Sequence, residues 1–372
     1  MIIGILKEQK KFECRVAATP ETVKKLIKIN QEIWVEKDAG EASLISDKEY
    51  LNAGAKIVTR KEVLKSNLIL QVQAMAESDI EQLNSSQYIV GMLEPFNLTL
   101  KQHILSKKIK AFALESMPRN SRAQSMDVLS SQANIAGYKA VMLAVHSYKK
   151  FMPMLMTAAG TVKAAKVMIL GAGVAGLQAI ATARRLGAIV EASDVRPAVK
   201  EQIESLGAKF IDVPFETDEE KDAAKGEGGY AKAMPKSWLN RQANLVAEKA
   251  AIADIVITSA LIPGREPPIL ISEDIVKTMK PGAVILDMAS GMAKDGSGNC
   301  PLTKANEIIE VDDKTIIGTT NLPSLLSADA SSLYARNILE FIKLLLNEKN
   351  ELYVNKEDEL VTGCLITGEN ND

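Results

Sequence analysis

A glycine pattern directly after an apolar run is the feature that most constrains this chain. Residues 167–170 are all apolar, and Gly171, Gly173 and Gly176 follow them at the start of an alanine-rich stretch. In the order strand, turn, helix, such glycines allow a tight turn, close approach of the backbone to a diphosphate, and close packing of helix on strand. The pattern predicts a parallel α/β sheet with a phosphate-binding loop, in which Val174 and Ala175 open the helix.

An acidic residue lies at a suitable distance beyond these glycines. Asp194 ends the next β-rich run, about twenty residues on, where a carboxylate accepts hydrogen bonds from ribose hydroxyls in dinucleotide-binding folds. A carboxylate there would repel a 2′-phosphate, which favours NAD over NADP, whereas Arg196 is near enough along the chain to pair with such a phosphate. We therefore expect an NAD(H) site that includes Val195; the other interpretation is a glycine-rich turn in an ordinary parallel sheet.

Short β-rich runs alternate with helical patterns on both sides of a long helix predicted over residues 126–150. This alternation predicts parallel sheets covered by helices on both faces. The predicted strands before the long helix are 2–6, 32–36, 67–72, 88–92 and 111–114, and those after it are 167–170, 189–192, 209–213, 254–259, 283–287 and 315–318.

The fold class expected is therefore α/β, with two Rossmann-like, doubly wound parallel-sheet lobes and the second inserted into the first. A helical pattern over 328–347 has no sheet of its own, so we expect it to return to the first lobe. The predicted domains are 1–130 plus 322–372, and 131–321. The polar, glycine-rich stretch 216–229 is the best candidate for a mobile loop.

Composition excludes several classes of partner. The formal net charge is -2, with lysine and glutamate evenly interleaved, so we expect no nucleic acid partner. Only two histidines are present, and Cys14, Cys300 and Cys364 lie far apart, so we expect no metal site and a reducing, cytoplasmic location. The apolar stretches fall short of the roughly 18 residues that span a bilayer, so any membrane role should be peripheral.

Several segments together resemble one known family, the NAD(H)-binding subunit of proton-translocating transhydrogenase, with alanine dehydrogenase as a nearer enzymatic relative. The similarity spans nearly the whole chain. The segments that carry it are RVAATPETVKKL (15–26), MPRNSRAQSMDVLSSQANIAGYKAV (117–141), MTAAGTV (156–162), GAGVAGLQAIATARRLGA (171–188), GGYAK (228–232), TSALIPG (258–264) and GNCPL (298–302).

The resemblance implies hydride transfer between NAD(H) held here and NADP(H) held on a partner component, coupled to proton translocation. It implies a membrane-spanning component and an NADP(H)-binding component as partners, a homodimer of this subunit, and a peripheral position on the inner membrane through those partners. A non-enzymatic, NAD-sensing module is the alternative outside enzymology.

The resemblance also implies roles for particular residues. Arg119, Gln124 and Asp127 would orient the two nicotinamides and Ser130 would bond the NAD carboxamide, whereas without the resemblance these are solvated polar residues that open a helix. Tyr230 resembles the tyrosine of a lid over NAD(H), and its other interpretation is an exposed linker. Ala260 and Leu261, in TSALIPG, complete the cofactor site that the resemblance implies.

The alternative activity, alanine dehydrogenation, needs proton transfer from an amine and a cation for the substrate carboxylate. In alanine dehydrogenases the matching segments supply a lysine, a histidine and an aspartate, where this chain has Gln73, Met92 and Ser290 or Gly291. Arg15 is retained, and without those partners we interpret it as an ion-pairing residue. The chain also departs from the transhydrogenase pattern at residues 290–300, SGMAKDGSGNC, where no glutamate follows Ala289.

Overall fold

A computed structural model of the chain describes residues 1–224, 234–262 and 264–366. The chain divides into two compact units, which are described separately: unit 1 is Met1–Gln132 with Pro323–Asp372, and unit 2 is Ala133–Leu322. Unit 2 is thus inserted between two segments of unit 1. The α/β class with one lobe inserted into the other is confirmed.

Unit 1 contains a six-stranded parallel sheet in the order β3-β2-β1-β4-β5-β6. Its strands are β1 (Ile2–Ile5), β2 (Glu32–Glu36), β3 (Lys56–Val58), β4 (Leu68–Leu70), β5 (Tyr88–Gly91) and β6 (Lys110–Ala113). Its shorter helices are α1 (Pro20–Lys28), α2 (Asp47–Asn52), α3 (Arg60–Val63), α4 (Glu77–Ile80) and α5 (Leu98–Ser106). The edge strand β3 was not predicted, because it is only three residues long and begins with an exposed lysine.

The final segment of the chain completes the core of unit 1. Helices α12 (Ser327–Leu344) and α13 (Glu359–Cys364) belong to this unit. Tyr334 and Phe341 of α12 are fully buried in the same apolar cluster as Ile3 and Leu68 of the sheet. The Tyr334 hydroxyl donates to the carbonyl of Gln71 at 3.0 Å, which fixes the helix to the end of β4.

Unit 2 contains a seven-stranded sheet in the order β11-β10-β9-β12-β13-β15-β14. Its strands are β9 (Lys166–Leu170), β10 (Ile189–Ser193), β11 (Lys209–Phe210), β12 (Ile255–Thr258), β13 (Val284–Asp287), β14 (Ile308–Val311) and β15 (Lys314–Ile317), and a separate hairpin contains β7 (Leu155–Thr157) and β8 (Gly160–Val162). The helices are α7 (Val174–Arg185), α8 (Lys200–Ser205), α9 (Asp218–Ala224), α10 (Lys236–Ile252) and α11 (Glu273–Thr278), and α6 (Val128–Ser147) runs through the boundary between units.

The prediction of a six-stranded, wholly parallel second sheet was wrong at one edge. Strand β14 pairs antiparallel with β15. Asp312 and Asp313 join them with φ of 46° and 61°. Positive φ at both central residues is the geometry of a two-residue hairpin turn, and aspartate tolerates it better than most residues.

The mobile loop predicted over 216–229 was also wrong in its first half, since α9 occupies Asp218–Ala224. Three consecutive acids in its first turn favour a helix start because they complement the helix dipole. Glu220 is buried and pairs with Arg241 at 2.7 Å, which attaches α9 to α10. Residues 225–229 lie outside the described residues.

Two further features bear on function. The β7–β8 hairpin is exposed along both strands, including Met156 at 70% and Val162 at 42% exposure. Across the described ranges, no helix combines the length and apolar character needed to cross a membrane.

Candidate functional site

The three glycines after β9 have three different structural reasons. Gly171 has φ of +94°, which side-chain-bearing residues rarely adopt. A Cβ on Gly176 would lie 1.9 Å from the carbonyl oxygen of Gly171, so only glycine allows α7 to approach the strand end this closely. A Cβ on Gly173 would meet nothing within 4 Å, so this glycine leaves open space at the start of the helix. That space is a cradle of the kind that a diphosphate needs.

The glycine loop lies where the order of the unit 2 sheet reverses. Strand β9 pairs with β10 on one side and β12 on the other, and ligands of doubly wound sheets bind beyond the carboxyl ends of strands at such a point. Gly173 precedes the first turn of α7, where Val174 and Ala175 carry amide groups that have no acceptor within the helix. These groups and the helix dipole favour an anion.

Asp194, at the end of β10, is joined to the glycine loop. One oxygen, Oδ2, accepts a hydrogen bond from the Ala172 amide at 2.8 Å. The same carboxylate binds the Arg196 guanidinium through Nε and Nη2, both at 2.9 Å, and accepts the Arg196 amide at 2.9 Å. The acid and the arginine, which the sequence left as competing indications, therefore form one pair, and Val195 lies between them.

The segment after β12 contains Ala260 and Leu261. The amide of Ala260 donates to Asn299 Oδ1 at 3.1 Å, and Asn299 Nδ2 donates back to the Ala260 carbonyl at 2.9 Å. Leu261 is 45% exposed. Asn299 is fully buried and was not predicted, although it lies in the GNCPL segment that carries the resemblance.

A buried carboxylate fixes the strand ends beside that segment. Asp287, at the end of β13, is fully buried. Its Oδ1 accepts from the Thr258 hydroxyl and the Ala289 amide, and its Oδ2 accepts from the Cys300 amide and the Thr303 hydroxyl, at 2.9 to 3.0 Å. Nothing in the sequence distinguished this aspartate, because its four donors come from separate segments.

The predicted nicotinamide-orienting residues lie in the stretch of chain that leads into α6. Asp127 precedes α6 and caps it, because its carboxylate accepts from the Ser130 amide at 2.9 Å and the Ser130 hydroxyl at 2.5 Å. Arg119 and Gln124 are exposed. The structure therefore joins Asp127 to Ser130 directly. Tyr230 lies outside the described residues.

Residues from the end of the chain hold this segment in place. Arg122 pairs with Asp358 at 2.7 Å, and Asn120 Nδ2 donates to Glu359 at 2.8 Å. Asn337 of α12 donates to the carbonyl of Ser125 at 2.7 Å. These three anchors were not predicted from the sequence, because contacts between residues more than two hundred positions apart leave no local signal.

Arg15 lies in unit 1 and is 3% exposed. Its guanidinium donates to both oxygens of Glu13, at 2.8 and 2.7 Å, and to Gln132 Oε1 at 2.8 Å. Burial alone would raise the pKa of Glu13, but the hydrogen bonds and charge of Arg15 outweigh burial and lower it to about 2. The arginine that would hold a substrate carboxylate in an alanine dehydrogenase is thus neutralised by a carboxylate of the chain itself.

The other positions compared with alanine dehydrogenases carry no proton-transfer group. Gln73 Nε2 donates to Glu13 at 3.0 Å. Ser290 is buried, and its hydroxyl donates to the carbonyl of Gly318 at 2.8 Å, while Gly291 has φ of +81°. Met92 is a partly buried hydrophobic residue packed against the core of unit 1. These contacts are structural.

Glu8 predicts an unusual dependence of stability on pH. Burial raises the pKa of Glu8 from 4.5 to about 7, against the amides of Val72 and Gln73 that donate to it. Because the folded state binds this proton more tightly than the unfolded state, its contribution is full below pH 4.5 and is lost as pH rises through 7. The loss is at most about 3 kcal/mol. We expect the free energy of unfolding, measured in urea from pH 5 to 8, to fall relative to Glu8→Gln.

The control for that experiment is Glu201→Gln, at an exposed position of α8. It should follow the unmodified protein at every pH. A Glu8→Gln variant whose stability runs parallel to the unmodified protein from pH 5 to 8 would contradict the assignment.

Comparisons with known proteins bear on the whole chain. Residues 4–136 match the family model described as "Alanine dehydrogenase/PNT, N-terminal domain", and residues 140–371 match "Alanine dehydrogenase/PNT, C-terminal domain". The chain belongs to the alanine dehydrogenase/PNT family. The glycine loop, Asp194 and Asp287 lie in the region matched by the C-terminal model, and Arg15 and Glu13 in the region matched by the N-terminal one.

Within this family the chain is more similar to transhydrogenases than to a named alanine dehydrogenase. It is 43% identical to an NAD(P) transhydrogenase subunit alpha protein of Rhodospirillum rubrum, over 99% of this chain and 96% of that protein. It is 41% identical to the crystal structure of transhydrogenase from Sinorhizobium meliloti, with a TM-score of 0.83, covering 98% of this chain and 96% of that one. It is 27% identical to "Alanine dehydrogenase 1" of Staphylococcus aureus, over 98% of this chain and 93% of that protein.

Proposed function

We propose that this chain is the NAD(H)-binding subunit of a proton-translocating transhydrogenase. In this proposal it exchanges hydride between its own NAD(H) and NADP(H) on a partner component. The observation that carries the choice is the buried pairing of Arg15 with Glu13. An amino-acid dehydrogenase needs a cation for the substrate carboxylate and a group that moves a proton, whereas hydride transfer between nicotinamides needs neither.

Unit 2 supplies what binding requires. The open space at Gly173, the start of α7 and the Asp194 carboxylate fit the diphosphate and the ribose of a dinucleotide. When bound, NAD(H) supplies the hydride-accepting or hydride-donating nicotinamide. Ala260 and Leu261 are proposed to line the same site, and Tyr230 to cover it.

Unit 1 supplies the proposed orienting residues. Arg119 and Gln124 lie exposed on a segment anchored by Asp358, Glu359 and Asn337, and Asp127 fixes Ser130 at the start of α6. Guanidinium and amide groups hydrogen-bond a carboxamide without being oxidised or reduced. We propose that these side chains hold the two nicotinamides in register and exclude water, while Ser130 binds the carboxamide of NAD(H).

The proposed partners are a membrane-spanning component and an NADP(H)-binding component, which would hold this chain at the cytoplasmic face of the inner membrane. The relatives' names, which call them subunits, support the need for partners. A homodimer is also proposed, since two-stranded ribbons such as β7–β8 are rarely stable alone, and a two-fold axis would cover this one with its copy. Sedimentation should give twice the 40.3 kDa chain mass, and a monomer at micromolar concentration would refute this point.

Two assays test the function. The first follows NADH oxidation by the purified chain with pyruvate and ammonium. The second follows hydride transfer from NADH to an NADP⁺ analogue after an NADP(H)-binding transhydrogenase component has been added. We expect turnover only in the second. Turnover in the first would overturn the proposal, and NADH binding without turnover in either would favour the NAD-sensing alternative.

A further inference from the structure

We propose that Arg196 is a latent ligand for a 2′-phosphate, and that Asp194 holds it inactive. The choice of NAD(H) over NADP(H) would then be set by the Asp194–Arg196 pair rather than by the acid alone. This inference rests on the proposed function, because it assumes that unit 2 binds a dinucleotide at the glycine loop.

The hydrogen bonds of Asp194 are saturated. A carboxylate offers about four acceptor positions, two on each oxygen. Here Oδ1 accepts the amide and Nε of Arg196, and Oδ2 accepts the Ala172 amide and Nη2 of Arg196. The Asp194 side chain is only 6% exposed, so the carboxylate depends on these four donors rather than on water.

Arg196 differs from its partner in exposure. Its side chain is 25% exposed, and it lies two residues along the chain, just before the short helix Pro197–Val199. The next cation, Lys200, is engaged at 2.6 Å by Asp212. Arg196 is therefore the cation held at the acid that receives the ribose in this proposal.

Ribose hydroxyls are compatible with this pair. Each hydroxyl of the NAD(H) ribose is a hydrogen-bond donor, so it can replace one guanidinium contact to Asp194. The two backbone donors, the amides of Ala172 and Arg196, stay in place. The buried carboxylate thus keeps a full set of donors when NAD(H) binds.

A 2′-phosphate is not compatible with the same pair. It replaces one hydroxyl donor by an anion, and two like charges near 4 Å apart repel by about 4 kcal/mol at the effective dielectric of a protein surface. To bind the phosphate, Arg196 would have to leave Asp194, which would lose two of its four donors while buried. NADP(H) is rejected because it demands the arginine that the acid needs.

Removing the acid should therefore release the arginine. In Asp194→Asn the amide oxygen still accepts from Ala172, but the negative charge that holds the guanidinium is gone. Arginine binds phosphate through two parallel hydrogen bonds, so we expect NADPH binding to tighten by tenfold to a hundredfold, on the order of 1.4 to 2.7 kcal/mol. Because the gain is electrostatic, it should shrink as salt is raised.

The experiment measures dissociation constants for NADH, NADPH and adenosine 2′,5′-bisphosphate on the full chain, by nucleotide fluorescence or calorimetry. The variants are Asp194→Asn, Arg196→Met and the double variant Asp194→Asn/Arg196→Met. We expect Asp194→Asn to gain NADPH and the bisphosphate, and the double variant to lose that gain. Asp194→Asn/Lys200→Met is the matched control and should keep it. Asp194→Ser, whose hydroxyl also accepts from Ala172, replaces the asparagine variant if that one unfolds.

Three outcomes would overturn the inference. Equal NADPH affinity in Asp194→Asn and the double variant would show that the acid alone sets the choice. Loss of the gain in the Lys200→Met control would assign the phosphate to another cation. No gain in either Asp194 variant, in a protein that binds NADH normally when unmodified, would also refute it. Failure of the unmodified chain to bind NADH would instead reject the proposed function, and the inference with it.

Discussion

Replacing Gly176 with alanine is expected to weaken NADH binding by roughly a hundredfold, a loss of about 2.7 kcal/mol. The new Cβ would lie 1.9 Å from the carbonyl oxygen of Gly171, whereas real Cβ contacts below 3.0 Å are essentially never seen. The obstacle is backbone, so no side-chain rotation relieves it, and α7 must move away from β9. Fluorescence titration with NADH measures the affinity, and thermal unfolding should show a lower midpoint because overpacking destabilises the fold.

Gly173→Ala is the matched control. Its Cβ meets nothing within 4 Å in the protein, and Gly173 has φ of -71°, which alanine adopts readily. We expect an unchanged unfolding midpoint with NADH binding weakened about tenfold, because the methyl group enters the space proposed for the diphosphate. If both variants bind NADH normally, the glycine loop is not the nucleotide site.

Replacing Asp287 with asparagine is expected to lower the free energy of unfolding by about 3 kcal/mol. Its two oxygens each accept from one backbone amide and one threonine hydroxyl. An amide has one oxygen, so in either orientation its NH2 group faces the N–H of Ala289 or of Cys300. A hydroxyl can rotate to accept instead, but a backbone N–H cannot, and the site is fully buried. Urea unfolding measures the change.

Asp274→Asn provides the comparison, since that side chain is 91% exposed and pairs with Lys277 on the surface of α11. A change within about 0.5 kcal/mol is expected there, because exposed ion pairs contribute little. If Asp287→Asn matched it, the buried hydrogen bonds would not be what fixes the ends of β12 and β13.

The sequence predicted best what depends on short-range backbone rules. The loop of Gly171, Gly173 and Gly176 could be recognised because each glycine answers a steric demand within a few residues of itself. The alternation of strands and helices predicted the class of both lobes for the same reason. The antiparallel β14 was missed, because a turn of two aspartates is a weaker signal than one containing glycine.

Contacts between distant segments could not be predicted. Arg15 and Arg196 were identified as residues of interest, but the sequence did not show that each is held by a neighbouring carboxylate, because side-chain direction depends on the surrounding fold. Asp287 and Asn299 gave no signal, since their partners come from three or more segments. Electrostatic pairing is where a sequence alone says least about a site.

The insertion of unit 2 into unit 1 has a consequence for biosynthesis. Unit 2 is continuous in the chain, so it can fold as soon as residue 322 has emerged from the ribosome. The sheet of unit 1 is made first but must wait for α12, whose Tyr334 and Phe341 share its core. Until then an apolar face of β1 and β4 has no cover, and such intermediates aggregate readily. Chaperone demand should therefore be set by the last fifty residues, which carry no nucleotide-binding group in this proposal.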